Sequence, residues 1–480
     1  MHPPSPEPTP QHVELGSKTF AMDDQLAMAR WCGDHNPLHV DEVAARRLIT
    51  GRPVVHGAHL ALEALARFAG LGARPCARMR AEFAKPVSVG DSVSFVAQAG
   101  DGYTTLKAVV DHLDHMVLTL WHVADAGPAT LPQAEAGFAW REAPFDEPVA
   151  HWLDRTVPLR PVAGTLPAAR GAAALVGEDG AAFLGQLSTV VGMACPGLHS
   201  VFASLDVSRR VEASPGRFSV VRHDARFGLV RMHVDGAWAG EVRAFVRAAP
   251  RAQPSMDDVV QRVPRELPEG HASWVLGGSR GLGELAAKLL AAAGSNVVVS
   301  YAAGQDDAAR VVEQINCAGR GRARSHRYVA GETDPATLCR DWPWPQAVLY
   351  FATPRIARQR SRAYEPERLR QFIGTYCDEP ARLATALEEA AAGQAPQPPV
   401  RLFNPSSTYV DELPAGMVEY AMAKAASEVQ ALDLNKRLKH VRVMTSRLPR
   451  MPTDQTNGLI ADDRTDTLSV LWPTLRAALF

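Results

Sequence analysis

Apolar and polar positions change their rhythm along the chain. HLALEALARFAG, around residues 59–70, has helical spacing, whereas DSVSFVAQAG, YTTLKAVVDHL and MVLTLWHVADA alternate or are β-branched. This predicts a helix laid against an antiparallel sheet. AAFLGQLSTVVG returns to helical spacing, and FASLDVSRRV, RFSVVRHDA, FGLVRMHVDG and WAGEVRAFVRA read as strands, so the second segment is expected to copy the fold of the first. Beyond residue 270 the apolar runs SWVLGGS, NVVVSYA, AVLYFAT and VRLFNPSS alternate with amphipathic stretches such as GELAAKLLAAAG and DDAARVVEQINCAG. That alternation predicts a parallel sheet with helices on both faces and ligands beyond the carboxyl ends of its strands.

Breakers divide these rhythms. The Pro-rich MHPPSPEPTP cannot form regular helix or a central strand and is expected to be a disordered tail. REAPFDEPVAHW, residues 141–152, interrupts the strand-like runs VLTLWHVADAG and AGFAW. A third break covers about residues 247–273. The expected organisation is a tail at 1–12, a first α+β domain at 13–145, a second at 150–250, a linker at 251–271 and an α/β domain at 272–480. A chain of 480 residues has room for it, at roughly 100–200 residues per domain.

Bulk properties narrow the partners. The formal charge is −1 and no polybasic run occurs, so neither nucleic acid nor an anionic membrane is an expected partner. The 6 cysteines lack CxxC spacing, which argues against a disulfide framework and a structural zinc site. No apolar run reaches the roughly 18 residues of a membrane helix, and the opening segment has no signal-peptide pattern; a cytoplasmic protein is expected.

Chemistry concentrates in two places. After the first strand of the α/β segment comes Gly277-Gly278-Ser279-Arg280-Gly281-Leu282-Gly283, opening into a helix. Such a turn lets backbone approach a pyrophosphate, whose charge is favoured at a helix N-terminus. Further on, NPSSTYVDELPAGMVEYAMAKAASE holds Ser406, Ser407, Tyr420 and Lys424. Tyr420 and Lys424 are one helical turn apart, and an ammonium beside a phenol lowers the phenol's pKa. An ordinary i,i+4 pair on an exposed helix is the plainer alternative.

These residues, over about 272–455, resemble the short-chain dehydrogenase/reductase superfamily, and within it the 3-ketoacyl-thioester reductases. The resemblance implies a Rossmann-type domain in which Tyr420 is the acid/base, Lys424 tunes it and orients the ribose, and Ser407 positions the carbonyl. It implies a cofactor held by Gly277, Ser279, Arg280, Gly281, Leu282, Gly283 and Lys424. With Ser300-Tyr301 in place of an acidic residue after the second strand, and Arg280 nearby, NADP is expected over NAD. The sequence departs from the family at Leu276, at Ala330 or Gly331, at Tyr350–Thr353, and where Thr375 or Tyr376 stands for an active-site asparagine.

The other place is Trp31-Cys32-Gly33-Asp34-His35-Asn36-Pro37-Leu38-His39, followed by Val54-Val55-His56-Gly57. A carboxylate and an imidazole on one loop can hold a water between them, and a glycine N–H at a helix start can face a developing oxyanion. Asp-x-Asn-Pro is also a good turn sequence. GDHNPLHVDEVAA, VVHG and KPVSVGD (Lys85–Asp91) resemble the MaoC-like, R-specific enoyl-CoA hydratases of the hotdog fold over about 13–145. The resemblance implies that Asp34 and His39 activate water, Asn36 supports the loop and Gly57 polarises the thioester carbonyl. The second segment then reads as a motif-less hotdog, giving a double hotdog before the Rossmann domain; His199 answers to either histidine of the first.

Together the two resemblances imply a bifunctional enzyme. NADPH-dependent 3-ketoacyl reduction makes the 3-hydroxyacyl thioester that the hydratase site dehydrates, on coenzyme A or a carrier protein, in fatty-acid or polyketide-type metabolism and as a homo-oligomer. A hydratase with a degenerate nucleotide-binding domain, or a Rossmann domain acting on a non-acyl carbonyl, are the alternatives.

Overall fold

The computed structural model describes residues 12–48, 50–124, 138–212, 214–356, 364–393, 398–456 and 466–479. Most of the expected tail, and the part of VLTLWHVADAG and AGFAW that falls in 125–137, lie outside the described residues. The chain divides into two compact units, one from Met1–Ala249 with Gly458–Ala461, the other from Pro250–Asn457 with Asp462–Phe480.

The first unit is built on one antiparallel sheet of ten strands: β1 (His12–Thr19), β2 (Cys76–Phe83), β3 (Ser92–Ala99), β4 (Tyr103–Val110), β5 (Leu113–His122), β6 (Thr156–Pro158), β7 (Ser200–Arg209), β8 (Arg217–Asp224), β9 (Leu229–Asp235) and β10 (Trp238–Val246). Their order is β1-β3-β4-β5-β2-β7-β10-β9-β8-β6. The two halves meet at β2 and β7, with Met79 opposite Val207 and Ala81 opposite Leu205. Alternation along β4 buries Thr104, Leu106, Ala108 and Val110 on one face. The long helices Gly57–Ala69 and Pro167–Thr189 come close together; a Cβ on Gly171 would stand 2.6 Å from that of Ala66.

One hydrophobic core runs from Phe20 to Ala244 through both halves. The break expected at 141–152 therefore marks no unit boundary, because Phe145, Val149 and Trp152 are buried in that shared core. Phe138–Trp140, expected as strand, is irregular. Its aromatics pack instead of pairing, Phe138 edge-on against Trp140 at 5.2 Å between ring centroids. β1 and β2 carry little sequence signal. β1, which begins inside the expected tail, is largely exposed, and a bulge between Cys76 and Arg78 breaks the alternation of β2.

The second unit has a six-stranded parallel sheet, β11 (Ala272–Leu276), β12 (Asn296–Tyr301), β13 (Ala323–Arg327), β14 (Ala347–Tyr350), β15 (Val400–Phe403) and β17 (Val441–Met444), in the order β13-β12-β11-β14-β15-β17. The short strands β16 (Ser406–Ser407) and β18 (Arg447–Leu448) pair separately. Successive residues of one strand feed different cores: Val275, Val299 and Leu349 enter one, Trp274, Val298 and Val348 the other. Burial on both faces is why these strands read as continuous apolar runs. Chain order reverses at β11, whose neighbours are β12 and β14. The segment expected as a linker holds the helix Met256–Arg262, capped reciprocally by Ser255 and Asp258, and its Met256 and Val259 join the core of this unit. No described helix is long and apolar enough to cross a membrane.

Candidate active sites

In the first unit, the helix Met22–Cys32 ends at Gly33, leaving Asp34 to Asn36 as a tight loop before the short helix Pro37–Val40. Asn36 is fully buried and holds that loop in three directions. Its Oδ1 accepts from Leu38 N (3.0 Å), while its Nδ2 donates to the carbonyls of Gly192 (2.8 Å) and Gly197 (3.0 Å). Asp34 is buried too; its carboxylate accepts from the Ser188 hydroxyl (2.7 Å) and the Asn36 N–H (3.2 Å). Burial raises the Asp34 pKa, opposed first by His39 and then by the Ser188 hydrogen bond.

His39 Nδ1 lies 2.6 Å from the carbonyl of Val54. A carbonyl can only accept, so Nδ1 carries the proton and Nε2 presents its lone pair. His56 stacks on this ring, 3.9 Å between centroids, and is itself held between Gln25 Oε1 (2.9 Å from Nδ1) and the Asp34 carbonyl (3.1 Å from Nε2). Burial depresses both imidazole pKa values. Ligating atoms of Asp34, His39 and His56 lie within 4.8 Å of one another. Because His39 Nδ1 and both His56 nitrogens already face protein partners, the set suits a water between carboxylate and imidazole better than a metal ion.

Gly57 opens the helix after His56, where first-turn amides have no acceptor inside the helix. A Cβ there would stand 3.1 Å from the Phe83 ring. The motif-less second half contributes Ser188 and the π turn Val190–Ala194 to the Asp34 loop. Thr189 Oγ1 donates to the Cys32 carbonyl (2.6 Å), and a Cβ on Gly192 would fall 2.2 Å from the Asp34 carboxylate. Gln25, His56, Ser188 and Gly192 were not foreseen. The one available signal was the imidazole directly before Gly57. His199 is apart from the Asp34 cluster's hydrogen bonds, 3.3 Å from Asp146.

In the second unit, Gly277 has φ 78, a left-handed conformation that favours glycine, and a Cβ there would meet Ala352 N at 2.6 Å. A Cβ on Gly283 would meet the Gly277 carbonyl at 2.1 Å. The bare backbone between β11 and the helix Gly281–Ala292 is thus required by the turn itself, with Arg280 as the residue preceding the helix and Ser279 and Leu282 flanking it. Gly277 N donates to the buried Ser300 Oγ (2.9 Å), so Ser300 supports the turn from inside. Ala302, Ala303 and Gly304 directly follow β12, the first acidic residue being Asp306 in the next helix, and Arg327 reaches the Ala302 carbonyl (3.2 Å) at the same end of the sheet.

Beyond β15 the structure brings Ser407, Tyr420 and Lys424 together. Burial pushes the Tyr420 phenol up to about 12, opposed by the nearby Ser407 hydroxyl. Burial pulls the Lys424 ammonium down to about 7; it donates to the Pro405 carbonyl (2.7 Å) and sits 3.7 Å from the centre of the Tyr376 ring. Of the two residues expected near the missing asparagine, Tyr376 faces this site, while Thr375 turns back to the Gln371 carbonyl. The Tyr376 hydroxyl pairs with Thr353 Oγ1 (2.5 Å), and Asn404 Nδ2 donates to the Tyr376 carbonyl (3.1 Å).

A helix on an antiparallel sheet, with a buried carboxylate near an imidazole held by the Val54 carbonyl, is the arrangement of the first half of this unit. Residues 7–117 match the family described as MaoC like domain, and this part of the chain is a MaoC-like domain. No curated protein matches the chain. Similar solved structures include FolM alternative dihydrofolate reductase 1 from Brucella canis complexed with NADP, 19% identical over 37% of this chain and 72% of that one, TM-score 0.33. The landomycin C-6 ketoreductase LanV with bound NADP and rabelomycin is 26% identical over 38% and 76%, TM-score 0.33. The reductase LugOII is 24% identical over 38% and 76%, TM-score 0.33. Likeness at this level decides nothing about activity.

Proposed function

We propose that the chain is a bifunctional acyl-thioester enzyme: a double-hotdog hydratase/dehydratase followed by an NADPH-dependent ketoreductase on a Rossmann-type domain of the short-chain dehydrogenase/reductase kind. The observation that carries the first activity is the Val54 carbonyl on His39 Nδ1, which leaves Nε2 as a base beside Asp34. Asp34 accepts one O–H of a water. Nε2 takes the other proton as the water oxygen bonds to the β-carbon of an enoyl thioester. Charge passing to the thioester oxygen meets the Gly57 N–H, and the imidazolium returns its proton to the α-carbon on the same face. The net result is addition of water; elimination is the reverse.

In the second unit, the glycine turn opens directly into the helix Gly281–Ala292, whose first-turn amides have no acceptor inside the helix and fit a dinucleotide pyrophosphate. Gly277, Ser279, Arg280, Gly281, Leu282, Gly283 and Lys424 would hold it, and Arg280, with Ser300-Tyr301 in place of an acidic residue at the end of β12, supports NADP over NAD. Reduced nicotinamide supplies the hydride. Ser407 holds the ketone oxygen and Tyr420 gives it a proton, with the Lys424 ammonium stabilising the phenolate that remains. The 3-hydroxyacyl product is the dehydratase substrate, carried on coenzyme A or a carrier protein in fatty-acid or polyketide-type metabolism. We place the protein in the cytoplasm as a homo-oligomer. NADPH oxidation and product mass with a panel of 3-ketoacyl thioesters test this; absence of both reduction and hydration would defeat it.

One observation favours a second reading, a hydratase whose second unit binds nucleotide without turnover: the Tyr376 ring lies against Lys424 where the family has an asparagine. Hydration of crotonyl-thioester with NADPH binding but no ketone reduction would establish it.

A further inference from the structure

The second half of the first unit holds a charge that the water chemistry does not use. Arg247, just past the end of β10, is half-buried, and its Nη2 donates to the Leu198 carbonyl (2.7 Å). Asn36 Nδ2 reaches the same carbonyl (3.4 Å), so the guanidinium stands one acceptor away from the loop that carries Asp34 and His39. Its field is felt there: Arg247 contributes to the depression of the His39 pKa. Arg247 Nε and Nη1 are shielded from solvent and have no partner among the described residues, and no described carboxylate pairs with this guanidinium. His199 Nδ1, in the turn just before β7, is likewise buried and unpartnered among the described residues; the carbonyl of His199 accepts from Arg247 N (2.7 Å).

A half-buried guanidinium whose Nε and Nη1 donors meet no acceptor is unfavourable unless something anionic meets it, and a carboxylate oxygen can accept from such a donor. We infer that the acyl group taken by the hydratase site carries an acid of its own, a short dicarboxylic acid held as its mono-thioester, whose free carboxylate pairs with Arg247. The short reach follows from the shared Leu198 carbonyl, which keeps Arg247 close to the Asp34 and His39 loop. This rests on the hydratase reading and adds the substrate class.

Equilibrium binding of succinyl-pantetheine and butyryl-pantetheine to the full chain tests it. Both are saturated, so neither is hydrated, and both lack the phosphates of coenzyme A. The wild-type protein should bind the succinyl thioester more tightly by about tenfold or more. Arg247→Gln should bring the ratio near one, and Arg247→Lys should leave an intermediate ratio. Equal affinities in the wild type, or a preference that survives Arg247→Gln, overturn the inference and leave the hydratase reading standing. Failure to bind either thioester, together with no hydration of crotonyl-pantetheine, overturns both.

Discussion

The direction of proton flow at His39 is set by one backbone atom. Val54 offers a carbonyl to Nδ1, and the lone pair is thereby committed to Nε2. The pH dependence follows with a definite sign. Burial holds the His39 pKa below that of an ordinary imidazole, so the loss of hydration as the pH falls should set in at lower pH than the titration of a free imidazole. A rate that drops between pH 8 and 7 would contradict this. Asp34→Asn should reduce hydration by about 10²–10⁴-fold, the usual worth of a positioned acid or base, and spare ketoreduction. Tyr420→Phe should do the converse, read as NADPH consumption with a 3-ketoacyl thioester. At this scale the sequence was informative, because Asp34, Asn36, His39, Gly57, Ser407, Tyr420 and Lys424 sit in short contiguous motifs. Gln25 and Ser188 were hidden, being polar residues within helices whose spacing announces only a buried face.

Elements explain why the motif-less half matters. The helix Pro167–Thr189 widens into the π turn Val190–Ala194 where it meets the Asp34 loop, and that turn supplies the Gly192 carbonyl to Asn36. Gly192→Ala would drive a methyl into the Asp34 carboxylate, 2.2 Å away, and nothing there can retreat without loosening the loop. Overpacking of this kind costs about 1–3 kcal/mol. In a unit of this size that lowers the melting temperature by roughly 2–4 °C per kcal/mol. Hydration should fall with it while ketoreduction persists; calorimetry and the two assays check this, and an unchanged hydration rate would show that the turn does not hold the site. Asn36→Ala takes the Nδ2 donor from the Gly192 carbonyl and leaves the Gly197 carbonyl only the Ser200 N–H, and should cost about 1–3 kcal/mol by the same measurement. The helices and most strands were legible from periodicity, but not which loop a helix end would touch. Such contacts join residues 154 to 161 positions apart, beyond any local pattern.

At the scale of the molecule, alternating rhythms identified an antiparallel and a parallel architecture, and the expected break at 141–152 falls inside the first compact unit. A Pro-rich, charged segment looks like a break whether or not its aromatics are buried in a common core, as Phe145 and Trp152 are. The central claim is that one chain carries two separate proton-handling sites acting in sequence on one acyl thioester. Mass analysis of products from a 3-ketoacyl thioester and NADPH, using wild type, Asp34→Asn and Tyr420→Phe, tests it most directly. The account predicts 3-hydroxyacyl and enoyl products from wild type, accumulation of the 3-hydroxyacyl thioester with Asp34→Asn, and unreacted ketone with Tyr420→Phe, which should still hydrate an enoyl thioester. Equal loss of both activities in either variant, or no NADPH consumption by the wild type, would contradict it.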